Sequence, residues 1–291
     1  MANILISGAN GKLGRLVVQF LLEAKAGNII AGTRNPDNIA DLVAKGATAR
    51  VVDFDDEAGL AEAFKDIDRL LIISTDAIHV KGLRLKQHQN AVKAAKEAGV
   101  SFVAYTSMPR PDTGSLIPFA PDHFGTEQAI KQSGMKYAIL RDAWYMDSLP
   151  LFITGPLKTG KWLTTAGEGR IAHVAREDCA RVAAAVLQNP VESATYDVTG
   201  TTAHTTREIA AIAAEALGKP LEVVEVSETQ LAESLEKAGI PAAYVAFFIA
   251  NDANTRAGNV DIQTNVVEKL AGRTPIKLRD YFAANKAAFG V

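Results

Sequence analysis

Three glycines, Gly8, Gly11 and Gly14, constrain this chain more than any other feature, because they stand between an apolar run and a helical pattern. The run Asn3 to Ser7 reads as a buried strand, and Leu13, Leu16, Val17, Phe20 and Leu21 recur at the three- and four-residue spacing of one buried helical face. A strand that passes into a helix through Gly-x-x-Gly-x-x-Gly gives each glycine a mechanical task. Gly8 allows the tight turn, Gly11 lets a pyrophosphate approach the backbone, and Gly14 lets the helix pack close to the strand. The helix start then offers unpaired N–H groups and a positive dipole end to phosphates. The turn formed by Gly8, Asn10, Gly11, Lys12, Leu13 and Gly14 is therefore expected to bind a dinucleotide.

The rest of the first half repeats the alternation of strand and helix. Strands are expected at Asn3 to Ser7, Asn28 to Thr33, Ala49 to Asp53, Arg69 to Ile73, Phe102 to Thr106 and Lys136 to Arg141. Asn35-Pro36 starts the second helix, Gly46 ends it, and Asp55 and Asp122 suit the caps of later helices. The fold class this implies is α/β, a Rossmann-type doubly wound parallel sheet. After Arg141 come loops, a hairpin-like stretch around Lys161 to Thr165, a helix holding Cys179 and a strand Thr195 to Val198. From Thr201 the chain is mostly helical, with capping boxes at Thr205-x-x-Glu208 and Ser227-x-x-Gln230. The expected division is a nucleotide-binding domain of residues 1–141, to which 171–199 return. A smaller substrate domain takes residues 142–170 and 200–291.

Charge and composition narrow the partners. With 31 Lys plus Arg against 33 Asp plus Glu, the chain lacks the basic excess that neutralises nucleic-acid phosphates. No segment reaches membrane-spanning length, the start lacks the pattern of a secretory signal, and a cytoplasmic protein is expected. One cysteine, Cys179, excludes an intramolecular disulfide, and its Ala-rich surroundings read as core. The histidines form no ligand spacing with Cys or carboxylates, so no metal is expected.

The second strand ends Gly32-Thr33-Arg34-Asn35, with no carboxylate at its tip. An acid there would accept from the ribose hydroxyls of NAD, whereas Arg34 can pair with a 2'-phosphate, so the expected cofactor is NADPH. Lys12 adds a second charge nearby. Asp53 and Phe54 suit the adenine edge and face, and Ser74 and Thr75 line the path toward the nicotinamide.

Four motifs occur in order: Gly8 to Gly14, Phe102-Val103-Ala104-Tyr105-Thr106-Ser107, His123-Phe124-Gly125-Thr126-Glu127 and Leu140-Arg141-Asp142-Ala143-Trp144-Tyr145. Together they resemble the NmrA-like branch of atypical short-chain dehydrogenase/reductases, and within it the bacterial NADPH-dependent quinone reductases and triphenylmethane-dye reductases. The resemblance implies an oxidoreductase that passes a hydride to a quinone or similar conjugated acceptor, with Ser107 among its cofactor-binding positions. It also admits an alternative, an NADP(H)-sensing regulator without turnover. Ordinary members of the wider superfamily carry a Tyr-x-x-x-Lys pair whose tyrosine protonates a carbonyl oxygen. Here His123 and Glu127 stand at those positions, so the usual relay is missing. A quinone or cationic dye needs that relay less, because the accepted hydride gives a delocalised product. Glu127, one helical turn on, is expected to hold His123 in one tautomer. Trp144 and Tyr145, after the sixth strand, are expected to wall the acceptor pocket, and His79 is a further candidate for the same cleft.

Overall fold

The computed structural model describes residues 1–112 and 114–291. Its centre is a seven-stranded sheet in the order β3-β2-β1-β4-β5-β6-β9. The strands are β1 (Asn3–Ile6), β2 (Asn28–Thr33), β3 (Thr48–Val51), β4 (Arg69–Ile72), β5 (Phe102–Ser107), β6 (Lys136–Asp142) and β9 (Ala194–Val198). Every pairing is parallel. The order reverses between β1 and β4, and it is at such a switch point that open α/β sheets bind ligands.

Period-two alternation sends successive side chains to opposite faces. Ile4 and Ile6 of β1 pack with Val17, Val18 and Leu21 of α1 (Lys12–Glu23) and with Cys179, Val182 and Val186 of α7 (Arg176–Gln188). Leu5, with Leu70 and Val103, meets Leu60 of α3 (Glu57–Ala63), Ala91 and Val92 of α4 (Leu83–Glu97) and Ile130 of α5 (Ala120–Ser133). A third core joins α6 (Leu149–Thr159) to α8 (Thr206–Leu217) through Ile153, Leu157, Ile209 and Ala213, and closes on Phe282 and Phe289. Between α6 and α8 lie the short strands β7 (Lys161–Thr164) and β8 (Arg170–Ile171); β8 pairs antiparallel with β10 (His204–Thr205). Among the described residues no helix is long and apolar enough to cross a membrane.

Several local expectations change. The stretch around Lys161 is no hairpin, since β7 pairs parallel with β11 (Glu222–Glu225) some sixty residues on. The third strand ends at Val51. Asp53 then turns the chain, its carboxylate accepting from the Asp55 N–H. Asp56, not Asp55, caps α3, accepting from the Gly59 N–H. Helix α5 starts after Phe119, aided by Pro121 in its first turn, which leaves Asp122 inside that turn. Both foreseen capping boxes form, at Thr205 and at Ser227.

A fully buried carboxylate ties three elements near the carboxyl edge. Glu127 of α5 accepts two hydrogen bonds from Arg141 of β6, each 2.8 Å, and one from Ser107 of β5, also 2.8 Å. Lys131 adds a fourth contact from the next helical turn, at 3.4 Å. Such a pair stabilises only as a set, because removing one member strands the other charge. Glu127→Ala should lower unfolding stability by about 3 kcal/mol or more, measured by denaturant titration. A second expectation follows from the β1–α1 contact. A Cβ built on Gly14 would lie 2.3 Å from the Gly8 carbonyl oxygen and 2.8 Å from the Ala9 Cα. Gly14→Ala should therefore cost about 1–3 kcal/mol in stability and weaken nucleotide binding, read by the same titration and by NADPH fluorescence.

Candidate active site

The site begins at the turn after β1. Gly8 has φ +60°, which a side chain disfavours, and its carbonyl accepts from the Gly11 N–H at 2.9 Å. The Ala9 N–H donates to the Gly32 carbonyl, which pins the turn to β2. Gly11 is the N-cap of α1, with no side-chain cap and no acid in the first turn. The helix N–H groups are thus left for an anionic ligand.

Arg15, one turn into α1, holds this geometry and was not foreseen. It donates to the Asn10 side chain at 3.0 Å, to both oxygens of Asp41 at 2.8 and 2.9 Å, and to the Asn38 carbonyl. One guanidinium therefore joins the glycine turn to the helical segment after β2. The same contact holds the Asp41 carboxyl below its ordinary range.

Above the turn lies a cleft of about 640 Å³ at the carboxyl ends of β1, β2 and β4. Gly8, Asn10 and Gly11 line it after β1, Arg34, Asp53 and Phe54 on the side of β2 and β3, and Ser74 and Thr75 on the side of β4. Eight of the expected cofactor residues are brought together here. Asn35, Asn38, Asp76 and Gln87 also line it, and nothing in their local sequence marked them. Arg34 is exposed at the tip of β2. Phe54 is 7% exposed and serves the core and the cleft at once.

The other four expected cofactor residues take different places. Lys12 is exposed at the helix start, outside the cleft lining. Leu13 is buried in the core, where its side chain packs beside Val17. Gly14 acts through close packing. Ser107 points its hydroxyl to Glu127.

Behind Thr75 runs a buried polar chain. The Thr75 N–H donates to His88 Nε2 at 3.0 Å, so the neutral ring carries its proton on Nδ1, which meets the Thr126 hydroxyl at 2.9 Å. Burial, followed by the nearby Arg84 charge, lowers the His88 pKa to about 3. The Tyr105 hydroxyl is hydrogen-bonded to His123 Nδ1 at 2.8 Å. Burial pushes the tyrosine up and the His123 ring well down. His123 is thus a buried neutral ring, 4% exposed, facing β5. It is not held by Glu127: that carboxylate spends its oxygens on Arg141, Ser107 and Lys131.

Trp144 and Tyr145 line a second hollow of about 160 Å³, with Phe152, Trp162, His173 and Phe247. It shares no lining residue with the cofactor cleft. The Trp144 and Phe247 rings meet edge to face at 5.9 Å. Trp144 Nε1 and His173 Nδ1 are buried without a partner among the described residues. Tyr145 contributes its ring, because its hydroxyl donates to Asp142 at 2.8 Å and Arg176 covers its face at 4.9 Å. Asp142 is itself raised to about 7 by burial. His79 lies in an exposed loop beside Tyr244 and lines neither hollow.

This geometry has known counterparts. The NAD(P)H-binding family matches residues 8–190. Quinone oxidoreductase 2 of Escherichia coli is 34% identical over 279 residues, covering 95% of this chain and 96% of that protein. An NmrA-like family domain-containing oxidoreductase of Aspergillus flavus is 27% identical, over 95% and 92% of the two chains. Among solved structures, the Citrobacter sp. triphenylmethane reductase complexed with NADP(H) superposes with a TM-score of 0.90 at 32% identity, covering 97% of this chain and 99% of that one. A glycine turn at a sheet reversal, a dinucleotide-sized cleft and whole-length likeness agree, and the chain belongs to the NAD(P)H-binding, NmrA-like family of oxidoreductases.

Proposed function

We propose that the protein is an NADPH-dependent reductase that passes a hydride to a quinone or a similarly conjugated acceptor. What carries this reading is the pairing of a dinucleotide-sized cleft with an aromatic hollow, and no tyrosine–lysine acid between them. The glycine turn and the uncapped α1 terminus suit a pyrophosphate. Arg34 offers a two-pronged donor to a 2'-phosphate, Asp53 and Phe54 suit adenine, and Ser74 and Thr75 lead toward the nicotinamide. When bound, the cofactor supplies the hydride, and the protein supplies position and electrostatics. In this reading residues 1–141 with 171–199 hold the cofactor, while 142–170 and 200–291 shape most of the acceptor side.

The acceptor class follows from what the site lacks. His123 is neutral and buried, and Glu127 is locked in an ion cluster, so neither repeats the acid of the usual pair. An acceptor that delocalises the incoming electron pair removes the need for one. The relatives named for quinone and triphenylmethane reduction support that class.

Two measurements test the reading. NADPH absorbance should fall on mixing with a simple benzoquinone or naphthoquinone and the protein, without added flavin. Tight NADPH binding with no acceptor reduced across a broad panel would instead favour a sensing role. Separately, Arg34→Ala should weaken NADPH binding by roughly 10- to 150-fold, the value of a hydrogen bond to a charged group. NADH binding should hardly move, since it has no 2'-phosphate. Equal weakening of both cofactors would remove Arg34 from that role.

A further inference from the structure

One buried cation, Arg84, makes no ion pair within 4 Å among the described residues, although two carboxylates lie further off. Arg84 lies in the first turn of α4, one turn before Gln87 and His88, and is 5% exposed. Its Nε and Nη1 are buried and find no hydrogen-bond partner among the described residues. The charged and titratable groups around it are Asp76 after β4, Asp122 on α5 and Tyr105 on β5. The neutral rings of His88 and His123 feel its charge in turn. Neither carboxylate hydrogen-bonds to those two nitrogens.

Its position is specific. The guanidinium lies over the Phe119 ring, 5.2 Å from the centroid. Phe119 stacks with Phe247, a wall of the aromatic hollow, and also neighbours His123. On the other side, Asp76 and Gln87 line the cofactor cleft. The cation itself lines neither hollow, but its neighbours on one side wall the aromatic hollow and on the other the cofactor cleft. Taking an unpaired cation out of water is among the costliest events in folding. A bound anion would offset that cost.

We propose that Arg84 holds the acceptor oxygen on which negative charge develops. This rests on reading the cleft as a site of hydride transfer to a quinone. In that reaction NADPH is oxidised to NADP⁺ by loss of a hydride, the quinone takes that hydride, two electrons with one proton, to become the hydroquinone monoanion, and a solvent proton completes the hydroquinone. A fixed guanidinium in a wall of low polarity stabilises the monoanion far more than the neutral quinone, which is the differential binding that accelerates a reaction. Charge is met in place, so no side chain has to surrender a proton.

The probe is 4-nitrophenol, whose phenolate absorbs in the visible and whose oxygen mimics that of the monoanion. It is titrated into NADP⁺-saturated protein at a pH where the free compound is mostly neutral. The parent should bind it as phenolate, about tenfold or more tightly than Arg84→Gln does. Arg84→Lys should keep part of the signal, having the charge without the fork. NADP⁺ affinity should be unchanged in Arg84→Gln. Arg84→Met should melt no lower than the parent, because it removes an unpaired buried charge. A lower melting temperature for Arg84→Met would show the guanidinium to be structural and overturn the proposal. So would binding of nitrophenol in its neutral form, phenolate binding that survives Arg84→Gln, or loss of NADP⁺ binding in that variant, which would place the guanidinium on the cofactor. Phenolate binding by a parent that reduces no quinone would leave the anion site standing and overturn the quinone reading instead.

Discussion

The contact between Gly14 and the Gly8 carbonyl is the constraint on which the site depends. Helix α1 can lie against β1 only because no Cβ intervenes. That closeness aims the uncapped N-terminus of α1 at the space above the sheet reversal, where donors left unpaired by the helix form the seat proposed for the pyrophosphate. The left-handed Gly8 and the link from Ala9 to Gly32 then fix the turn relative to β2. Arg15 extends the same frame to the helical segment behind Arg34 by spanning Asn10, Asn38 and Asp41. The seat for the pyrophosphate and the end proposed for the 2'-phosphate are thereby one mechanical unit.

What the sequence made legible was local or periodic. The glycine turn, the alternation that gives β1 its two faces, and the boxes at Thr205 and Ser227 all depend on residues within a few positions of one another. Arg15 was not legible, because Asp41 lies 26 residues away and only the packing of α1 beside the helical segment after β2 brings them together. The same reason explains β7, whose apolar run looked like half of a hairpin until β11 arrived from far along the chain. Glu127 shows the opposite failure. His123 and Glu127 do lie one helical turn apart on the buried side of α5. Their side chains nevertheless take different partners, His123 meeting Tyr105 of β5 and Glu127 meeting Ser107 of β5 and Arg141 of β6. Trp144 and Tyr145 line a hollow, but the motif carried no sign that this hollow shares no lining residue with the cleft above the glycine turn.

Burial then decides what each polar group can do. The chain from Thr75 through His88 to Thr126 spends its donors and acceptors internally, so it stiffens the wall behind the Ser74 and Thr75 end of the cleft. Glu127 does the same for the strand ends. Neither arrangement leaves a proton free to give, which is consistent with an acceptor that needs none at the moment of transfer.

Tyr105 offers the strongest rival account, a displaced version of the missing acid, since it lies near a cation as the usual tyrosine lies near its lysine. The balance of forces goes against it. Arg84 does lower the Tyr105 pKa, but burial is the larger effect, and the net result is a phenol held above its ordinary range. Here the ring is fully buried and its hydroxyl is engaged with His123, so desolvation outweighs the nearby cation. The same low polarity that disables the phenol magnifies the field of the guanidinium, because unscreened charge acts more strongly at a given distance. In this fold the electrostatic part of the tyrosine–lysine pair can persist without its proton-transfer part, and that division suits an acceptor whose reduced form is an anion.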